Sequence, residues 1–96
     1  MSKQEIIRFL SDYKSRNRAK YGIITMGIFG SAARGDSGSA SDIDIFVETE
    51  TPNPFYIVHI KEEIENELHS KIDIVRLRKR MNASLKRRIE NEGIRV

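Results

Sequence analysis

The sequence predicts a small α/β domain: a mixed β-sheet of three to four strands with flanking helices. Three observations predict it. Apolar, β-rich runs at residues 23–29, 42–48 and 71–77 alternate with stretches of helical period. The second and third runs are separated by a helix-length crossover, the kind of connection that joins parallel strands. Finally, the Gly30-Ser31 turn after the first run can meet the acids that open the second only if those two strands run in opposite directions. Ninety-six residues fit one domain, taken as 1–96, with room for one sheet and its helices.

The elements follow in order. Ser2-Lys3-Gln4-Glu5 is a capping-box pattern. Ile6, Phe9, Leu10 and Tyr13 then recur at helical spacing, giving an amphipathic helix to about Lys20, stopped at Gly22. Lys14, Arg16, Arg18 and Lys20 suit the negative end of its dipole. The run at 23–29 is apolar on both faces, as in a strand covered on both sides. Gly27 inside it marks a close approach of a backbone or a ligand. Ser31 to Arg34 makes about one helical turn, ended by Gly35. Residues 36–41 read as a Ser/Gly-rich loop.

In the second strand, Ile43, Ile45 and Val47 face the core, and Asp42, Asp44 and Phe46 point the other way. Asn53 and Pro54 fit the N-cap and first position of a helix whose buried stripe is Ile57, Ile60, Ile64 and Leu68, with Lys61 and Glu65 spaced to pair. In the third strand Ile72 and Ile74 share one face, and Asp73, Val75 and Leu77 the other. A last helix spans about 82–91, with Leu85 and Ile89 buried and Gly93 at its end. Residues 94–96 add a short edge strand.

Composition narrows the function. There is no cysteine, which excludes disulfides and Cys-ligated zinc. The N-terminus lacks the apolar core of a signal peptide, and no apolar run approaches the roughly 20 residues that span a bilayer. A soluble cytoplasmic protein is expected, with no membrane role. The net charge is +3, with both signs abundant. Glu62, Glu63, Glu65 and Glu67 crowd one segment, and basic residues crowd 76–88. The plain reading is two solvated faces; the sharper one is a basic surface for a nucleotide or RNA. Few aromatics are available for base stacking, so nucleic-acid binding is the weakest reading. His59 and His69 read as surface or partly packed residues rather than ligands.

Asp42, Asp44 and Asp73 carry the chemistry. Aspartate is depleted in strands, and two at i and i+2 project from one face. Like charges so placed need a counter-charge, and Mg²⁺, which prefers oxygen ligands, supplies one. Parallel pairing of the second and third strands brings Asp73 to the pair. Three such carboxylates suit two divalent ions about 3.5–4 Å apart. Gly30 admits a phosphate, the amides after it and the Ser31 hydroxyl donate to phosphate oxygens, and Arg34 offsets transition-state charge.

Gly30-Ser31-Ala32-Ala33-Arg34-Gly35, then Ser41-Asp42-Ile43-Asp44, then Ile72-Asp73-Ile74-Val75 resembles the minimal nucleotidyltransferases of the DNA polymerase beta superfamily. The resemblance runs through Glu92-Gly93-Ile94 and implies the nucleotidyltransferase fold. It implies Mg²⁺-dependent transfer of AMP from ATP to a hydroxyl. Asp42, Asp44 and Asp73 would be metal ligands, and Asp73 the acceptor of the hydroxyl proton. It also implies a partner, a HEPN-type ribonuclease toxin modified on a tyrosine, with this chain as antitoxin. The alternative is a non-catalytic antitoxin that neutralises its partner by contact alone. The nucleotide, the acceptor and the oligomeric state are left open.

Overall fold

The computed structural model describes residues 1–35 and 42–96. Its elements are α1 (Lys3–Tyr21), β1 (Ile23–Phe29), α2 (Gly30–Arg34), β2 (Ile43–Thr49), α3 (Pro54–Leu68), β3 (Ile72–Arg76), α4 (Ala83–Glu92) and β4 (Ile94–Arg95). The sheet order is β3-β2-β1-β4. β2 and β3 are parallel, and β1 is antiparallel to both β2 and β4. This is the mixed sheet that the acid positions require. The loop expected over 36–41, with Ser41 of the acidic element, lies outside the described residues.

Local chemistry sets the helix ends. Ser2 and Glu5 complete the capping box of α1 in both directions, and Gly22 ends it at φ 63°. The Asn53 side chain accepts from the Phe55 N–H, and Pro54 opens α3. Asn82 caps α4 through the Leu85 N–H. α3 closes on His69 at φ 51°, a left-handed conformation that is unfavourable for a residue with a Cβ. His59 and His69 are both exposed, as expected. Among the described residues no helix is long and apolar enough to cross a membrane.

Alternation along the strands builds two apolar layers. Ile28, Ile45, Val47 and Ile72 join Ile6, Leu10, Ile60 and Ile64 beneath α1 and α3. Phe29, Phe46 and Ile89 form a smaller cluster on the opposite face, beneath α4, with Val75, Leu77 and Leu85 against it. Phe46 does point the same way as the acids, but it is fully buried. Asp44 and Asp73 therefore continue an apolar row toward the start of β2 and β3.

Gly27 is explained by β4. A Cβ there would collide with the Ile94 carbonyl oxygen and come within 2.5 Å of the Phe46 ring. Gly27→Ala is expected to cost about 1–3 kcal/mol, the usual range for overpacking. Thermal melting measures the loss, and backbone hydrogen exchange should show it concentrated at β4.

The acidic segment is not simply a solvated face. Glu63 accepts hydrogen bonds from the hydroxyls of Tyr13 at 2.6 Å and Tyr21 at 2.8 Å, tying α3 to α1. The Glu65 carboxylate, spaced to meet Lys61, accepts from the Ile72 N–H at 3.0 Å. Burial works against a charged Glu63, but the two hydroxyls and Lys20 outweigh it and hold the carboxyl below its usual range. Burial, reinforced by Glu63, pushes Tyr13 far above the phenol range. A carboxyl lowered by folding adds stability that is present above its unfolded value, 4.5, and lost as pH falls through the folded one. Chemical denaturation across pH 3–7 should therefore show a steeper acid loss in the native protein than in Glu63→Gln. Parallel curves would show that Glu63 carries no such linkage.

Candidate active site

The site is built where β1 ends. Phe29 is the last strand residue, Gly30 turns the chain at φ 65°, and α2 follows, ended by Gly35 at φ 79°. Ala32 and Ala33 are buried, which anchors this short turn to the core. Phe29 pairs with Asp44 across the antiparallel ladder, and Asp44 pairs with Asp73 across the parallel one. The turn and two acids thus share one row at one end of the sheet. Neighbouring strands lie about 4.8 Å apart, so Asp44 and Asp73 are close neighbours on one face.

Gly30 is fitted against Asp44. A Cβ on Gly30 would run into Asp44 Oδ2 and lie 3.3 Å from Asp44 Cγ. Asp44 is partly buried, whereas Asp42 and Asp73 are exposed. Burial first, then the charge of Asp73 and, more weakly, that of Asp42, push the Asp44 carboxyl above its usual range. Arg88 and Arg34 pull it back.

The expected three-carboxylate cluster is only partly assembled. Among the described residues, no three acidic or histidine side chains stand close enough to hold a metal ion as placed. The structure pairs Asp44 with Asp73 and leaves Asp42 two residues upstream, just before β2. The donor chemistry nonetheless fits Mg²⁺. All the available ligands are carboxylate oxygens, and their mutual repulsion is what a divalent cation would relieve.

Arg34 lies at the end of α2, with Nη1 3.3 Å from Glu92 Oε1. Arg88 Nε is 4.0 Å from Glu92 Oε2, and the Arg88 guanidinium sits 5.8 Å from the Phe29 ring centroid. The sequence placed Arg88 in a solvated basic run. The signal for its role was the i, i+4 spacing of Arg88 and Glu92 on α4. The rest of the run divides from it. Arg78, Lys79, Lys86 and Arg95 line a cavity of about 180 Å³ with Glu48 and Leu77, at the far end of β2 and β3 from the acids.

Residues 4–96 match the family described as Polymerase beta, Nucleotidyltransferase. Protein adenylyltransferase MntA of Thermococcus cleftensis is 32% identical over 93 residues, covering 96% of this chain and 89% of that one. A solved structure provisionally described as a minimal nucleotidyltransferase superposes with a TM-score of 0.80 at 25% identity, covering 98% of this chain and 95% of that one. A tri-AMPylated Shewanella oneidensis HEPN toxin in complex with an MNT antitoxin gives 0.61 at 22% identity, covering 97% of this chain and 66% of that one, a likeness of fold. A family match over nearly the whole chain, a relative 32% identical along its length and a superposable fold agree, and the chain belongs to the polymerase beta nucleotidyltransferase family, in its minimal branch.

Proposed function

We propose that this protein transfers AMP from ATP to a tyrosine hydroxyl of a HEPN-type ribonuclease toxin, with Mg²⁺, and so acts as its antitoxin. The observation that carries the reading is the row Phe29–Asp44–Asp73, which sets the glycine turn and two carboxylates side by side. The exposure of Asp73 leaves its carboxyl open to an acceptor on another molecule. The names of the relative and of the Shewanella complex support the donor group and the partner class.

In the reaction, the acceptor oxygen attacks the α-phosphorus of ATP, the bond to pyrophosphate breaks, and Asp73 takes the hydroxyl proton. Asp42, Asp44 and Asp73 would hold Mg²⁺, which when bound supplies charge neutralisation for the leaving pyrophosphate and activation of the acceptor. Gly30 leaves room for the phosphates, Ser31 donates to them, and Arg34 faces the charge that builds up.

Intact-mass spectrometry of the toxin after incubation with this protein, ATP and Mg²⁺ tests it. The expected result is a gain of one or more AMP units, lost with EDTA or when the acceptor tyrosine is replaced by phenylalanine. Neutralisation of the toxin with no mass gain would establish the contact-only antitoxin instead.

A further inference from the structure

Arg88 differs from the other basic residues of its segment in where its charge sits. Its guanidinium lies over Phe29, the residue before Gly30 and the ladder partner of Asp44. Lys86, two positions earlier, belongs to the cavity at the other end of the sheet. We propose that Arg88 is a second cation for the nucleotide's polyphosphate, and that Glu92 is the positioning residue that holds Arg34 and Arg88 beside the Gly30-Ser31 turn. This rests on the adenylyl-transfer reading and extends it to α4.

The contacts argue for a ligand-binding arginine rather than a structural one. A structural arginine closes a short, bidentate pair with its carboxylate. Arg88 meets Glu92 only at 4.0 Å, and its side chain is 54% exposed. Its terminal nitrogens make no hydrogen bond among the described residues, so they keep their donors for an anion. Glu92 has the opposite character. Oε1 engages Arg34 on α2, while Oε2 is buried with no hydrogen-bond partner among the described residues. A buried carboxylate oxygen without a donor is costly, and the Arg88 charge 4.0 Å from it offsets part of that cost. One carboxylate thus draws guanidiniums from two helices toward one place.

Charge balance points the same way. A triphosphate entering beside Asp42, Asp44 and Asp73 brings negative charge to a negative site. Arg34 and Arg88 are the cations that bear on Asp44. A planar guanidinium suits phosphate oxygens in a way an ammonium does not, so lysine should replace Arg88 only in part.

Calorimetric titration with Mg²⁺–AMP-PNP and with AMP tests this on the full chain. Arg88→Met keeps an apolar stem over Phe29 and removes the charge; Arg88→Gln is the second variant should the first melt early. The expected result is about tenfold weaker AMP-PNP binding, AMP binding changed by less than about twofold, and partial recovery in Arg88→Lys. Glu92→Gln should raise the KM for ATP more than it lowers kcat. Equal AMP-PNP affinity in Arg88→Met and the native protein would overturn the inference while leaving adenylyl transfer intact. An equal loss for AMP and AMP-PNP would also overturn it, because the effect would then not be on the polyphosphate. Absence of AMP-PNP binding by the native protein would instead remove the underlying reading.

Discussion

Gly30→Ala is expected to lower AMP transfer by about 100-fold or more while the protein still folds, because a shift of about 1 Å in a reacting group costs that much. Two effects act at this position. The backbone stands at φ 65°, where any Cβ is unfavourable by about 1–2 kcal/mol. The new methyl would also run into Asp44 Oδ2, so either the turn or the carboxylate must move. Gly35 separates the two. Its φ is 79°, and among the described residues nothing lies within 4 Å of the Cβ it would carry. Gly35→Ala should therefore show a similar drop in melting temperature with transfer reduced by no more than a few-fold. Equal activity loss in both variants would mean that backbone strain alone disturbs the site and that the fit of Gly30 to Asp44 is incidental.

The same contact shows what was legible in the sequence. The two-residue period along a strand and the length of the crossover suffice to put Asp44 beside Asp73, because both are local rules. The capping box at Ser2 and Glu5 and the Asn53-Pro54 start are legible for the same reason. The roles of Glu63 and Glu92 were not. Glu63 looks like any acid on a charged helix until α1 brings Tyr13 and Tyr21 to it. The i, i+4 spacing of Arg88 and Glu92 can be read from the sequence, but what each meets across the fold is set by how α4 crosses the sheet, which brings Arg88 over Phe29 and Glu92 to Arg34 of α2. Phe46 reads as an outward residue for the same reason, since its cover comes from a helix whose direction the local pattern does not encode. Pairings set by helix placement, unlike those set by period, have no signature in spacing.

Asp44→Asn should abolish transfer and, at neutral pH, make the protein more stable. The activity loss is expected to be at least about a thousandfold, matching the several kcal/mol that a bound metal's charge contributes at a phosphoryl transition state. The stability gain follows from the electrostatics of the unliganded site. Burial, then Asp73, then Asp42, raise the Asp44 carboxyl above its unfolded value of 3.8. With the folded value the higher one, the folded state binds more protons between the two values. Stability then falls as pH rises through that interval, and above it the ionised carboxylate is a standing cost. An amide of the same shape removes that cost. Melting temperatures should therefore place Asp44→Asn above the native protein at pH 7, with the gap closing below the unfolded value, where both side chains are neutral. Saturating Mg²⁺ should shrink the gap from the other side, by stabilising only the protein that keeps its carboxylate. A lower melting temperature for Asp44→Asn at neutral pH without Mg²⁺ would show instead that the carboxylate holds the turn together. In that case a loss of transfer could not be assigned to chemistry alone.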